Sequence, residues 1–184
     1  VGAGLELASQ VAAGEIDEPA RIYIATGTMG SAGGLALGLA LGGLASEVQA
    51  VRVSPREIMN RQRLDQLMAK TAAMLNRLEP GIPADLHRRT RIEVRQSFYG
   101  DGYAISNPAT DAAIDVARDA LGLALEPTYT GKAMAALLHD SEQAWLRSAS
   151  LMFWNTYTSN PLPGVPPSAV DLGRLPEEFK PYFD

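Results

Sequence analysis

Strand-like runs alternate with helical segments along most of this chain, and this alternation limits the folds that it can adopt. The strand-like runs, rich in β-branched and aromatic residues, lie at residues 21–25, 47–54, 92–96 and 149–154. Helical patterns occupy residues 4–13, a small-residue segment ending near Leu44, and residues 55–77, 107–121 and 131–140. Strands separated by helices pair in parallel. The sequence therefore predicts an α/β protein with an open, mostly parallel sheet and helices on both faces.

Composition excludes several classes of protein. The 184 residues suit one domain, and 46% apolar with 20% charged residues exclude an intrinsically disordered chain. The chain has no cysteine, so it has no disulfide, thiolate metal site or cysteine nucleophile. This fits a reducing compartment, and a cytoplasmic location is expected. The most apolar stretch, residues 35–45, is shorter than the roughly 20 residues that span a bilayer, so we expect a buried helix and no membrane partner.

Charge is unevenly distributed along the chain. The formal net charge is −5, yet the segment from Arg52 to Arg95 holds ten basic and five acidic residues. Solvated helix faces, an interface and a nucleic-acid patch all explain such a segment. No aromatic-rich strand or known reader motif accompanies the arginines, so nucleic acid is not predicted as a partner.

A glycine-rich turn, ATGTMGSAGG at residues 25–34, joins the first strand to the small-residue helix. Glycine allows a tight turn and close approach of a ligand, and the amino end of the helix carries unpaired N–H groups that favour phosphate. The turn contains Gly27, Thr28, Met29, Gly30 and Ser31, and the hydroxyls of Thr28 and Ser31 would add hydrogen bonds to a phosphate. The spacing matches neither a Walker A loop nor G-x-G-x-x-G, and a tight turn without a ligand is the alternative.

Two tyrosines lie in loops that precede helices. Tyr103 ends the run YGDGY before the helix beginning at Asn107-Pro108, and Tyr129 lies in PTYTGK before the next helix. Loops after parallel strands converge at one edge of the sheet, where ligands bind. A tyrosine acts as an acid or base when its pKa is lowered from about 10 by a nearby cation or cofactor. Packed structural tyrosines are the alternative.

The two histidines are predicted to be structural. His87 is followed by Arg88 and Arg89, and His139 lies at a helix end, where the dipole favours a cation. No pair of His, Asp and Glu residues has metal-ligand spacing, so no metal site is predicted.

Three segments, ATGTMGSAGGLALGL, DGYAISNPATDAAIDVARDALG and EPTYTGKAMAALL, resemble the 1-aminocyclopropane-1-carboxylate (ACC) deaminase/D-cysteine desulfhydrase family, in that family's order. The similarity runs from Leu5 to about Trp154. These enzymes use pyridoxal 5′-phosphate (PLP) and have the tryptophan-synthase β-like fold. The resemblance implies that residues 1–160 are the C-terminal portion of the PLP-binding α/β domain, part of the large domain of that fold. Residues 161–184 would be a Pro-rich extended tail.

The resemblance also implies roles for individual residues. The turn at residues 27–31 would hold the cofactor phosphate. Tyr103 and Tyr129 match two active-site tyrosines implicated in proton handling and leaving-group departure, and Thr130 matches the residue facing the pyridine nitrogen. A hydroxyl there, in place of the deaminase glutamate, favours a neutral ring and a weaker electron sink. This implies desulfhydrase-like β-elimination from a small amino acid, giving ammonia and a 2-oxo acid, more than ACC ring opening.

Two departures from the family pattern affect this interpretation. Where the family often has His-Thr-Gly-Gly, this chain has WNTYTSN at residues 154–160. The Schiff-base lysine, carried by the family near its N-terminus after Ser…Asn, is absent. The chain has Lys70, Lys132 and Lys180, and Lys132 matches a different family lysine.

The missing lysine and a chain that begins at Val1 lead us to expect that the N-terminal half of the enzyme is missing. Without that amine the covalent route is closed, so the fragment alone is expected to be inactive. A homodimer is implied by the resemblance. Two alternatives stay open: a non-catalytic phosphate- or nucleotide-binding α/β module, and an inert fragment that keeps the fold.

Overall fold

The computed structural model describes residues 1–158 and 171–178. Within these residues it has four parallel strands and five α-helices. The strands are β1 (Arg21–Thr26), β2 (Glu47–Arg52), β3 (Ile92–Arg95) and β4 (Leu151–Phe153). The helices are α1 (Gly2–Ala12), α2 (Gly30–Leu41), α3 (Arg61–Leu78), α4 (Pro108–Leu121) and α5 (Thr130–Ser141). The sheet order is β3-β2-β1-β4, with every neighbouring pair parallel. The predicted α/β class is confirmed.

Helices cover both faces of the sheet because successive side chains of a strand point to opposite sides. In β1, Ile22 and Ile24 belong to the core cluster formed with α2 and α3, whereas Tyr23 packs against Ala133 and Ala136 of α5. Helix α4 packs in turn against α5. The carboxyl ends of β1 and β2 lie side by side, with Thr26 opposite Arg52.

Helix α2 is buried on nearly every side. Leu35, Leu37 and Leu39 are each at most 3% exposed. An evenly apolar helix belongs in a protein core, so the predicted buried helix is confirmed as far as Leu41, and the exposed Gly42 and Gly43 lie beyond its end. No helix within residues 1–158 and 171–178 is long and apolar enough to cross a membrane.

The predicted start of α3 at residue 55 was wrong. The amides of Ile58 and Met59 both donate to the carbonyl of Pro55, which closes a turn, and the helix begins only at Arg61. Asn60 is extended, and its side chain accepts a hydrogen bond from the amide of Arg63. Such a cap satisfies an amide that the first helical turn leaves unpaired, and this sets the boundary.

The ends of α4 agree with the sequence. Asn107 caps the helix by accepting from the amide of Thr110 at 3.0 Å, Pro108 occupies the first turn, and Gly122 ends it with φ +64°. Most of the predicted Pro-rich tail lies outside the described residues. Its described part, residues 171–178, contains a 3₁₀ helix at Leu172–Arg174.

Candidate functional site

A cleft of about 540 Å³ lies at the carboxyl ends of β1 and β2, within the size range of small-molecule sites. It is lined by Gly27, Thr28, Ser54, Pro55, Ile58, Tyr103 and Tyr129. The glycine-rich turn after β1 and both tyrosine loops therefore reach one site.

The glycine-rich turn leads directly into α2. Met29 is left-handed, with φ +70°, and gives the helix no side-chain cap, unlike Asn60 at α3 and Asn107 at α4. A Cβ added at Gly30 would meet nothing within 4 Å, so the turn has open space beside it. A small cavity of about 50 Å³ is lined by residues 25–32. Uncapped amides beside open space can hold a phosphate group.

Ser54 fixes the turn from the neighbouring strand. Its hydroxyl donates to the carbonyl of Gly27 at 3.0 Å, and the amide of Val53 donates to the carbonyl of Thr26 at 3.1 Å. Ser54 is buried and lines the cleft. Ser54 was not predicted as a site residue. The one feature of the sequence that points to it is its position at the end of the second strand-like run.

Tyr103 and Tyr129 meet at the cleft. Their hydroxyls share a hydrogen bond, and their rings pack edge to face with centroids 6.0 Å apart. The bond to Tyr103, together with partial burial, raises the pKa of Tyr129 above its ordinary value. Tyr129 therefore holds its proton more firmly than an ordinary tyrosine does.

Glu126 organises the start of α5. Its carboxylate accepts from the amides of Thr128 at 2.7 Å, Tyr129 at 2.9 Å and Thr130 at 2.7 Å. The negative charge also suits the positive end of the helix dipole. This role of Glu126 was not predicted, although an acidic residue close to the start of a predicted helix is a known sign of a helix N-terminus.

Thr130 is buried and bonded to Glu126. Its hydroxyl donates to Glu126 Oε1 at 3.1 Å and accepts from the amide of Glu126 at 3.2 Å. The residue is 1% exposed and is not part of the cleft lining. Thr130, predicted to contact the cofactor, therefore lies outside the cleft lining in this structure, and its hydroxyl proton is engaged by Glu126.

Neither of the two lysines in the described ranges reaches the cleft. Lys70 lies on the exposed face of α3. Lys132 is fully buried, and Nζ donates to the carbonyls of Tyr99 at 2.6 Å and Gly102 at 3.1 Å. Burial and the nearby Arg52 lower the pKa of Lys132. Lys180 lies outside the described residues.

The histidines lie away from the cleft lining. His139 Nδ1 is 3.1 Å from a carboxylate oxygen of Asp140, and its ring packs edge to face on Phe98. His87 belongs to the 3₁₀ helix Leu86–Arg89. Over residues 1–158 and 171–178, no group of three or more His, Asp or Glu side chains could hold a metal ion.

Several arginines of the basic segment have partners within the protein. Arg61, Arg89 and Arg95 form ion pairs with Asp65, Asp85 and Asp140. Arg52 is buried and stacks on the ring of Tyr99, with Cζ 4.1 Å from the ring centroid. Part of the positive charge therefore serves the fold.

This chain is similar in sequence to curated D-cysteine desulfhydrases. The chain is 32% identical over 143 residues to a D-cysteine desulfhydrase of Yersinia pestis (strain Pestoides F), covering 78% of this chain and 40% of that protein. It is 29% identical over 143 residues to the D-cysteine desulfhydrase of Salmonella paratyphi C (strain RKS4594), with the same coverage. The chain thus spans about two-fifths of the length of these curated relatives. No protein-family model matches it.

A solved structure shares the fold. The crystal structure of an ACC deaminase homologue superimposes with a TM-score of 0.64 at 22% sequence identity, over 82% of this chain and 43% of that chain. The likeness confirms the open parallel α/β architecture that the alternation of strands and helices predicts.

Proposed function

This chain belongs to the ACC deaminase/D-cysteine desulfhydrase family, and we propose that it forms the phosphate-binding and tyrosine side of the active site of a PLP-dependent deaminase or lyase acting on a small amino acid. The observation that carries the proposal is the single cleft that joins Gly27 and Thr28 to the bonded pair of Tyr103 and Tyr129.

The residues present fit the cofactor. The turn at residues 27–31 offers the uncapped amides of α2 and the hydroxyls of Thr28 and Ser31 to a phosphate. Ser54 would hold the turn in place through the carbonyl of Gly27. When bound, PLP supplies an electron sink for negative charge at the α-carbon of the amino acid.

The tyrosine pair would assist departure of the β-substituent. Tyr129 is a neutral phenol at neutral pH and can donate its proton to a departing sulfur as the carbon–sulfur bond breaks. The hydroxyl of Tyr103, bonded to that of Tyr129, can return a proton to Tyr129. Addition of water then completes the conversion to ammonia and a 2-oxo acid.

Position 130 favours the desulfhydrase-like reaction. Thr130 is neutral, and its hydroxyl proton is already donated to the carboxylate of Glu126. In the family pattern the residue at this position faces the ring nitrogen, and a neutral residue there would give a weaker sink, which suffices for β-elimination. This supports β-elimination as the reaction, with ACC ring opening as the less favoured one.

Neither of the two described lysines is placed to carry the cofactor. Lys132 is buried with its ammonium bonded to two carbonyls, and Lys70 is exposed on α3. We propose that the Schiff-base lysine lies in a preceding segment of a longer polypeptide, which functions as a homodimer, and that this chain alone releases neither ammonia nor sulfide.

Binding of pyridoxine 5′-phosphate, which has the phosphate but cannot form a Schiff base, tests the phosphate site by calorimetry. Gly30→Asp places a carboxylate in the turn and is expected to abolish binding. Gly2→Asp is the matched control, because Gly2 also opens a helix and a Cβ there also meets nothing within 4 Å. Equal loss in both variants would contradict the site.

The covalent chemistry is tested on the longer protein. Borohydride reduction after loading with PLP is expected to fix the cofactor to a lysine outside residues 1–184. Failure to fix it, combined with tight binding of a nucleotide at the turn, would instead establish a non-catalytic phosphate-binding module.

A further inference from the structure

Lys132 is a buried cation that forms no ion pair within the described part of the chain. It is 0% exposed, and among residues 1–158 and 171–178 no carboxylate lies within ion-pair distance of Nζ. Burying an unpaired charge is costly, so its remaining contacts must compensate for the lost hydration. A methionine of similar length would fill the space without that cost. What the ammonium adds is its hydrogen bonds.

Both hydrogen bonds of Lys132 go to one turn. Nζ donates to the carbonyl of Tyr99 at 2.6 Å and to that of Gly102 at 3.1 Å. Between these two acceptors the backbone passes through Gly100, whose φ is +71°. The residue immediately after the second acceptor is Tyr103. The ammonium therefore ties together the two ends of the turn that presents this tyrosine.

Lys132 also lies in the first turn of α5, three residues after Tyr129. One side chain thus connects the helix start that carries Tyr129 to the turn that carries Tyr103. The hydroxyls of the two tyrosines, 26 residues apart in sequence, meet at the cleft. Their alignment depends on the distance between the turn and the helix, which the two Nζ bonds set.

Arg52 holds the same turn from the sheet. Its guanidinium lies 4.1 Å from the ring centroid of Tyr99, and Nη1 donates to the carbonyl of Ser54 at 2.7 Å. Lys132 Nζ lies 5.1 Å from the same ring. Arg52 thus contacts the ring of Tyr99, whereas Lys132 binds the backbone carbonyls of Tyr99 and Gly102.

We propose that Lys132 is a positioning residue that holds the turn at residues 99–103 against α5, so that the hydroxyl of Tyr103 meets that of Tyr129. The catalytic meaning of this contact rests on the proposed function. The contact itself does not, because it forms between residues of this chain without cofactor or substrate.

The test follows the titration of Tyr129 by NMR in protein labelled with ¹³C at tyrosine Cζ, without PLP. In Lys132→Met the pKa of Tyr129 is expected to fall towards 10, because the hydrogen bond between its hydroxyl and that of Tyr103, which raises this pKa, is lost. Lys70→Met, which removes an exposed lysine of α3, is the matched control and is expected to leave the titration unchanged.

A double-mutant cycle separates positioning from general packing. Tyr103→Phe is expected to shift the titration of Tyr129 in the wild-type protein and to add no further shift in Lys132→Met. An equal shift in both backgrounds would overturn the proposal. A pKa of Tyr129 in Lys132→Met equal to that in the wild-type protein would also overturn the proposal.

Lys132→Gln and Lys132→Arg keep donor groups and guard against a variant that fails to fold. Partial recovery of the Tyr129 shift in either one supports positioning. Loss of folded structure in all three Lys132 variants, with Lys70→Met folded, would overturn the proposal in favour of a general stability role. If the wild-type protein does not bind pyridoxine 5′-phosphate, the proposed function is contradicted. The titration result, which needs no ligand, is unaffected.

Discussion

Thr130 and Glu126 are bonded to each other at both backbone and side chain. The amide and the hydroxyl of Thr130 donate to the same oxygen of Glu126, at 2.7 and 3.1 Å. The backbone amide of Glu126 donates back to the hydroxyl at 3.2 Å. This reciprocal arrangement fixes the start of α5, and with it the position of Tyr129 at the cleft.

Replacing Glu126 with alanine should loosen the start of α5. Three amides lose their acceptor, and the dipole of the helix loses a favourable charge. We expect a loss of about 1–2 kcal/mol in the free energy of unfolding, measured with urea. Amide exchange should rise at Thr128, Tyr129 and Thr130. Glu142→Ala, at the exposed carboxyl end of α5, is the control. Equal destabilisation by both variants would contradict the capping role.

Thr130→Glu should destabilise the protein before it alters any reaction. The new carboxylate would lie in a site that is 1% exposed, beside the carboxylate of Glu126. An unpaired buried charge costs about 3 kcal/mol or more. The loss should shrink in the double variant with Glu126→Gln, because the like-charge repulsion is removed.

Thr130→Ser is the conservative control at this position, because it keeps the hydroxyl and removes one methyl group. We expect it to cost about 1 kcal/mol. Thermal unfolding of the four proteins measures the series, and a Thr130→Glu variant as stable as the wild type would contradict the prediction.

Close packing of α1 on α2 depends on Gly4. A Cβ there would lie 2.6 Å from the carbonyl oxygen of Leu35 and 2.7 Å from the amide nitrogen of Leu39, both backbone atoms. Gly4→Ala should therefore cost about 1–3 kcal/mol through overpacking. Gly2→Ala in the same helix meets nothing within 4 Å and should be neutral or stabilising. Urea unfolding compares the two, and similar values for both would contradict the packing argument.

The sequence predicts the elements of this fold well because their signals are local. Alternation of strands and helices is visible in apolar runs, and Asn107, Pro108 and Gly122 mark the ends of α4. The start of α3 was misplaced because Pro55 is a good first residue for a helix as well as for a turn. The cap by Asn60 decided between the two, and Asn gives a weaker sequence signal than Pro.

The candidate site could be predicted in part. The glycine-rich turn and the two tyrosines stand out in sequence because each lies in a loop before a helix. Ser54 and Lys132 do not stand out, because their roles depend on which backbone carbonyls come within reach after folding. Ser54, after β2, donates to the carbonyl of Gly27, after the neighbouring strand β1. Lys132, in α5, donates to the carbonyl of Tyr99, which lies in a distant turn. Contacts of this length leave no periodic pattern in a sequence.

The buried ion network around Asp140 should make the protein sensitive to acid. Its carboxylate accepts from Arg21 and Tyr23 at 2.8 Å and pairs with Arg95. Although burial alone would raise it, hydrogen bonds from Arg95, His139 and Tyr23 hold the pKa of Asp140 well below its usual 3.8.

A carboxyl group whose pKa is lower in the folded state than in the unfolded state stabilises the fold fully at pH values above the unfolded-state pKa. This stabilisation is lost as the pH falls towards and through the folded-state pKa. Asp140→Asn should therefore cost about 3 kcal/mol near pH 7, because Arg95 loses its buried partner. The difference from the wild type should narrow by about 1 kcal/mol at pH 3, below the unfolded-state pKa. Urea unfolding at both pH values measures this, with exposed Asp115→Asn as the control. A difference that stays constant between pH 7 and pH 3 would contradict the depressed pKa of Asp140.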